Sequence, residues 1–285
     1  VTQQQRTGTP ADLSAGVPLF PETRERLDRW REDPDVVGVL LVGSKSRGFD
    51  DELSDDDIEV VLEDAPYAGR SSADCLELGF KGGGSALGSA LPPTLSDLAY
   101  DAQYLPIGDL VRKGGSPFDL DRWPYQRAVV LFDRDGRVAS AVAAAGAMDE
   151  DFRRRRLRHA TIDCGGAARR AVKTRTRSQD GSARFMVARS ARALIRIAFA
   201  LESRWSPLEY WLEKELATLP DPERAGPAAI EALTTGKPEP ALEALQRLEP
   251  RLTEAGVPPP SERLLLFFEL VHPSRAAERA IHVVV

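Results

Sequence analysis

Three consecutive acids, Asp55-Asp56-Asp57, open the run Ser54-Asp-Asp-Asp-Ile-Glu-Val-Val-Leu62, the stretch of this 285-residue chain best equipped for chemistry. Side chains alternate along a strand. Asp55, Asp57 and Glu59 therefore fall on one side, and Asp56, Ile58, Val60 and Leu62 on the other, mostly apolar one. Like charges held that close raise each other's cost of ionisation, and a divalent cation removes that cost. With no His or Cys nearby, the hard oxygen ligands favour Mg2+ or Mn2+ over Zn2+. Just upstream, Val36-Val-Gly-Val-Leu-Leu-Val-Gly-Ser-Lys-Ser-Arg-Gly48 reads as a buried strand, a glycine turn and a helix start. Gly43 and Gly48 permit tight backbone, and Ser44 and Ser46 bring hydroxyls beside exposed N–H groups, where phosphate oxygens are favoured. The Walker pattern is absent, because Phe49-Asp50 rather than Lys and Ser follow Gly48, which excludes a P-loop ATPase. An anion cradle beside a carboxylate-held cation is what handling a nucleoside triphosphate requires.

Gly43-Ser-Lys-Ser-Arg-Gly48 with Ser54-Asp-Asp-Asp-Ile58 resembles the signature of the nucleotidyltransferase fold, the superfamily that includes DNA polymerase beta and the aminoglycoside adenylyltransferases. The likeness covers residues 20–135. It implies that two metal ions help to move a nucleotidyl group from a nucleoside triphosphate, ATP foremost, onto an acceptor hydroxyl. By that resemblance Asp55 and Asp57 are metal ligands, and Ser44 meets the triphosphate. A third carboxylate usually comes from a later strand. Asp101 in Leu98-Ala-Tyr-Asp-Ala-Gln-Tyr-Leu105 is the first candidate, because a lone acid in an apolar strand is costly unless paired or metal-bound. Asp101 would ligate the metal or take the acceptor's proton, with Glu77 and Glu59 as rivals. Gly43, Ser44, Lys45 and Arg47 are expected at the donor's phosphates, together with Arg192 and Arg196.

The elements that must position these groups follow from periodicity and punctuation. A helix is predicted at Glu22–Trp30, then strands at Val36–Val42, Asp56–Leu62, Leu76–Phe80, Leu98–Leu105 and Ala128–Phe132. Lys81–Pro93 reads as a glycine-rich loop, and Asp133-Arg-Asp-Gly136 as a turn. Beyond Gly146, Ala, Leu, Arg and Glu at helical spacing predict helices at Asp149–Thr174, Ser182–Arg204, Leu208–Ala217, Pro227–Leu233, Pro240–Ala255 and Ser261–Leu270. The expected class is α+β: a small mixed-sheet nucleotidyltransferase domain over residues 19–145, then an all-helical bundle over 146–285.

Charge is unevenly spread. Residues 151–205 carry fifteen Arg or Lys against four Asp or Glu, in a chain whose formal total is -6. Arg189, Arg192 and Arg196 form one helical stripe, suited either to a polyphosphate or to salt bridges with the acidic remainder. Arg153-Arg-Arg-Arg156 with Arg158 would suit RNA, but it lacks interleaved aromatics and the chain is acidic overall. Trp205-Ser-Pro-Leu-Glu-Tyr-Trp-Leu212 is similar to a Y-x-P-x-x-K-W-L segment of helical domains in antibiotic-modifying nucleotidyltransferases, with Tyr210 in the lysine position. Its aromatics are expected in packing. No run approaches eighteen apolar residues, and Val1–Arg6 leads into no apolar stretch, so a cytoplasmic protein with no membrane partner is expected. Cys75 and Cys164 form no CxxC pair. The expected activity is Mg-dependent nucleotidyl transfer to a small hydroxylated acceptor. An RNA end or protein hydroxyl as acceptor, or an inactive nucleotide-binding module, are the alternatives; nothing in the pattern selects an oligomeric state.

Overall fold

A computed structural model describes residues 11–12, 16–87 and 95–282. The chain divides into two compact units. One runs to Ser116 and again from Leu120 to Ala147; the other takes Pro117–Asp119 and the chain from Met148 onward. The architecture is a small mixed-sheet domain followed by an all-helical bundle.

The first unit is built on seven strands: β1 (Ala11–Asp12), β2 (Val36–Leu41), β3 (Asp56–Leu62), β4 (Leu76–Phe80), β5 (Ser85–Leu87), β6 (Leu98–Pro106) and β7 (Val129–Asp133). Their order is β1-β7-β2-β3-β6-β4-β5, and among these pairs only β3–β6 runs parallel. Every residue of β2 is buried, which is why Val-Val-Gly-Val-Leu-Leu shows no polar alternation. Helix α1 (Pro21–Glu32) starts on a proline, whose fixed φ suits the first turn, and lays Leu27 and Trp30 on one face of the sheet. The other face is covered from α3 (Ile107–Lys113), which follows the short α2 (Asp64–Ala68), and from α5 (Arg137–Gly146), which follows α4 (Asp119–Arg122). Ile107, Leu110, Val138 and Ala141 pack there on Val37, Leu40 and Val61.

Residues 133–136, read from sequence as a turn, form the junction between β7 and α5. Asp133 accepts from the Gly136 and Ala139 amides at 2.9 and 2.8 Å, so its carboxylate satisfies the first turn of an alanine-rich helix. Of the expected loop Lys81–Pro93, Lys81–Gly84 is the turn of the β4–β5 hairpin and Ser85–Leu87 is β5 itself, while 88–93 lie outside the described residues.

The helical unit holds α6 (Glu150–Arg175), α7 (Asp180–Leu201), α8 (Leu212–Leu216), α9 (Ala225–Thr235), α10 (Glu239–Arg247), α11 (Glu249–Glu254), α12 (Arg263–Val271) and α13 (Ala276–His282). Asp149 caps α6 by accepting the Phe152 amide at 2.8 Å. The helix expected across Pro240–Ala255 is two, divided beside Pro250, and Leu208–Ala217 is mostly a short 3-10 turn and α8. Helices α6 and α7 form the most extensive pair, along an alanine seam that includes Ala160, Ala171, Ala183 and Ala191. No helix of the described residues is long and apolar enough to cross a membrane.

Candidate active site

Strand β3 separates its three acids as its pleat requires. Asp56 points into the α1 face and is fully buried. Its carboxylate accepts from the Phe20 amide (2.9 Å), the Thr23 hydroxyl (2.5 Å) and the Lys45 ammonium (2.6 Å). Lys45, itself almost buried, also lies 3.7 Å from the centre of the Phe20 ring. Asp56 was not among the expected site residues, although a carboxylate on an apolar strand face must find donors. It fastens the start of α1 to the turn after β2.

Asp57 points the other way. In the parallel β3–β6 ladder its register partner is Asp101, so the two half-buried acids are neighbours on one sheet face, on strands about 4.8 Å apart. Burial foremost, then the charges of Asp101 and Asp55, push the Asp57 carboxyl up to about 7, although the Ser44 amide donates to it. Asp101 is pushed up to about 6 by burial and by Asp55. Asp55, half-buried at the mouth of the strand, is also raised, again mainly by burial. Carboxyls coupled in this way titrate as a set.

The glycine turn abuts them. The Val42 amide donates to the Asp57 carbonyl at 2.9 Å, and the next residue, Gly43, has φ of +67°. A Cβ built on Gly43 would overlap the Asp57 carboxylate, so both backbone and space demand glycine. The Ser46 hydroxyl donates to the Gly43 carbonyl at 3.0 Å, the Ser44 carbonyl accepts the Arg47 and Phe49 amides, and Gly48 closes the turn at φ +69°. A single 3-10 turn, not a longer helix, occupies Lys45–Arg47.

The rival third acids are otherwise engaged. Glu77 faces the α1 side, where Arg26 clamps it at 2.7 and 2.8 Å and the Tyr100 and Tyr104 hydroxyls donate at 2.9 and 2.7 Å. Burial opposes its ionisation, yet these donors outweigh burial and hold Glu77 below the usual range. Glu59 shares the Asp57 face but accepts the Tyr125 hydroxyl on both oxygens, at 2.9 and 2.8 Å, and burial raises its carboxyl.

The four cations expected at phosphates all have partners within the protein. Lys45 is paired with Asp56. Arg47 is buried, donates to the Trp123 and Pro124 carbonyls, and stacks 3.8 Å from the Trp123 ring centre. In the helical unit Arg192 pairs with Glu209 at 2.6 Å, and Arg196 lies 3.8 Å from Asp119. Arg189, the third member of the stripe, pairs with Asp163 at 2.7 Å. Of the predicted aromatic segment, Trp205 is buried against Phe152, ring centres 4.7 Å apart, whereas Tyr210 is exposed.

Among the described residues no three His, Cys, Asp or Glu side chains converge as a ready-made metal cluster. The donor chemistry on the Asp57 face nevertheless fits a hard cation: carboxylates only, raised by burial first and then by neighbouring acids, with no ammonium among the described residues closing an ion pair on Asp57 or Asp101. A bare acid pair of this kind is the arrangement that a divalent cation relieves.

Residues 123–212 match the family described as a domain of unknown function (DUF4037). No curated protein matches the chain. Among solved structures, a nucleotidyltransferase-like protein from Exiguobacterium sibiricum 255-15 is similar at 16% identity and a TM-score of 0.44, over 90% of this chain and 85% of that one.

Proposed function

We propose that this protein transfers a nucleotidyl group, adenylyl foremost, from a nucleoside triphosphate to the hydroxyl of a small acceptor and releases pyrophosphate. The observation that supports this reading is the pairing of Asp57 with Asp101 across parallel strands, both carboxyls raised, against the Gly43-Ser44 turn. Carboxylates that repel are kept where a function uses them.

Asp55, Asp57 and Asp101 are the residues that would hold Mg2+ or Mn2+. The bound cation would neutralise phosphate oxygens and lower the cost of charge in the transition state. Burial and then Asp55 raise the Asp101 carboxyl above the usual carboxylate range, which suits it to accept the proton of an attacking hydroxyl. The Ser44 amide holds Asp57 beside the turn, and Gly43 leaves that approach open. The absence of a side chain on Gly43 thus serves the same point in space from the other side. A small acceptor is preferred to RNA, because much of the basic run is already paired: Arg153 with Glu150, Arg156 with Asp119 and Arg158 with Glu269.

The test is pyrophosphate release from ATP with Mg2+ and a panel of aminoglycosides. Wild type should turn over with a rate that rises with pH as the two carboxyls ionise, and raising Mg2+, which competes with protons for them, should move that rise to lower pH. Asp101→Asn should lose about 10²–10⁴-fold, and Asp57→Asn should fall to background. Equal rates in wild type and Asp57→Asn overturn the proposal. Label transferred from ATP to added RNA or protein instead would move the acceptor to a macromolecule.

A further inference from the structure

Within the helical unit a cavity of about 380 Å³ opens among α6, α7, α12 and α13. Its floor is apolar, formed by Ile162, Phe267, Leu270 and Val271. Its charged lining is Asp163 with Arg170, Arg189 and Arg279. Arg189 is committed to Asp163, with Nε at 2.8 and 3.1 Å from the two carboxylate oxygens. Arg279 donates to the Val271 carbonyl at 3.3 Å, and among the described residues neither it nor Arg170 has a carboxylate partner. Of the acids on the flanking helices, Glu269 pairs with Arg158 at 3.1 Å, and Glu278 pairs with Arg275 at 2.8 Å and reaches the cavity-lining His159 at 3.4 Å. Arg170 is exposed and acts on Asp163 through its charge alone, and Arg279 is partly buried, so at the edge of the apolar lining two guanidiniums stand outside any ion pair among the described residues.

Gly166 adds an independent observation. It lies inside the 26-residue α6, where glycine is a poor helix former, and it lines the cavity. A Cβ there would meet nothing within 4 Å. Neither a steric demand nor a positive φ requires the glycine, and a side chain at 166 would enter open space at the cavity wall.

We infer that this cavity binds a small amphipathic organic anion, an apolar body on Phe267 and Leu270 with a carboxylate or phosphate head at Arg170 and Arg279. The volume falls in the range of about 300–1,000 Å³ typical of small-molecule sites, and the lining has their composition, mostly apolar with a few convergent charges. The site is built from the helical unit alone and stands whether or not the acids of the sheet domain handle nucleotides.

The experiment uses the full chain and 8-anilinonaphthalene-1-sulfonate fluorescence, with octanoate and octyl phosphate as competing anions and octanol as the neutral control. One saturable site is expected. Both anions should displace the dye, the stronger one identifying the head group, and octanol should displace it far less. Arg170→Gln with Arg279→Gln should weaken displacement by the anions tenfold or more. Gly166→Leu should abolish binding while melting at or above the wild-type temperature. Dye held by the exposed Leu264, Leu265 and Phe268 would survive Gly166→Leu, and that result overturns the proposal. Octanol matching octanoate, or no saturable binding, also overturns it. Should Gly166→Leu fail to fold, the arginine variant decides.

Discussion

Asp57 carries a proton in the folded chain over a range where the unfolded chain has lost it, because burial and two neighbouring acids move its carboxyl from 3.8 to about 7. The sign follows: stability falls as pH rises through that interval and is level above it. Asp57→Asn removes its share of that titration and leaves those of Asp101 and Asp55. It should therefore stabilise the protein by on the order of 3 kcal/mol at pH 8 and by almost nothing near pH 4, read from urea denaturation at both values, while activity disappears. An equal gain at the two pH values would refute the assigned cause. Gly43 and Gly48 make a second residue-scale contrast. Both have positive φ, but only at Gly43 does a Cβ collide with Asp57, whereas at Gly48 it meets nothing within 4 Å. Gly48→Ala should cost about 1–2 kcal/mol in backbone strain and keep its activity. Gly43→Ala should cost more and lose activity, because the carboxylate has to move; thermal melts beside the pyrophosphate assay separate the two.

At the scale of elements, β3 shows what alternation delivers. Its bounds, Asp56–Leu62, and the division of its acids between two faces are legible in Asp-Asp-Ile-Glu-Val-Val-Leu, since the period is two and one face is apolar. The pairing of Asp57 with Asp101 is not legible, because register between strands 44 residues apart in sequence is set by contacts that no local pattern encodes. Helices α3 and α5 were likewise missed: α3 directly continues a strand, and α5 hides behind a turn-like Asp-Arg-Asp-Gly whose first carboxylate is its cap. In α6, Gly166→Ala should raise stability by about 0.5–1 kcal/mol, since the new methyl has room and the helix loses a flexible residue. Calorimetry showing a lower melting temperature would mean that the space is already filled.

Across the whole molecule, the helical unit borrows Pro117–Asp119 from the middle of the other unit's sequence, and Asp119 shows why. Its carboxylate accepts from the buried Arg156, lies 3.8 Å from Arg196 and takes the Ser206 amide at 2.9 Å. Burial, then the neighbouring Arg156, already depresses the Arg196 guanidinium to about 10. Burial and Arg156 likewise lower the His282 imidazole to about 2. Asp119→Asn would leave two guanidiniums without their shared counter-charge. It should destabilise the unit by about 3–5 kcal/mol, read as an early transition in calorimetry. A helical fragment starting at Met148 should be less stable than one starting before Pro117. The +11 on residues 151–205, which in sequence suggested an anionic partner, is in large part answered inside the fold by Glu150, Asp119, Asp163, Glu209 and Glu269.

What the amino-acid order determined by itself is what depends on near neighbours. The strand and helix periods, the glycine turn at Gly43, the face shared by Asp57 and Glu59, and the α+β succession all follow from steric and hydrophobic rules acting over a few residues. Tertiary structure alone decided which charges are satisfied. Lys45 found Asp56, Arg47 found the Trp123 carbonyl, Glu77 found Arg26, and Asp57 and Asp101 were left facing each other. A side chain's type fixes its charge, but the free energy of that charge depends on burial and on partners brought from tens of residues away, and those exist only once the chain has folded.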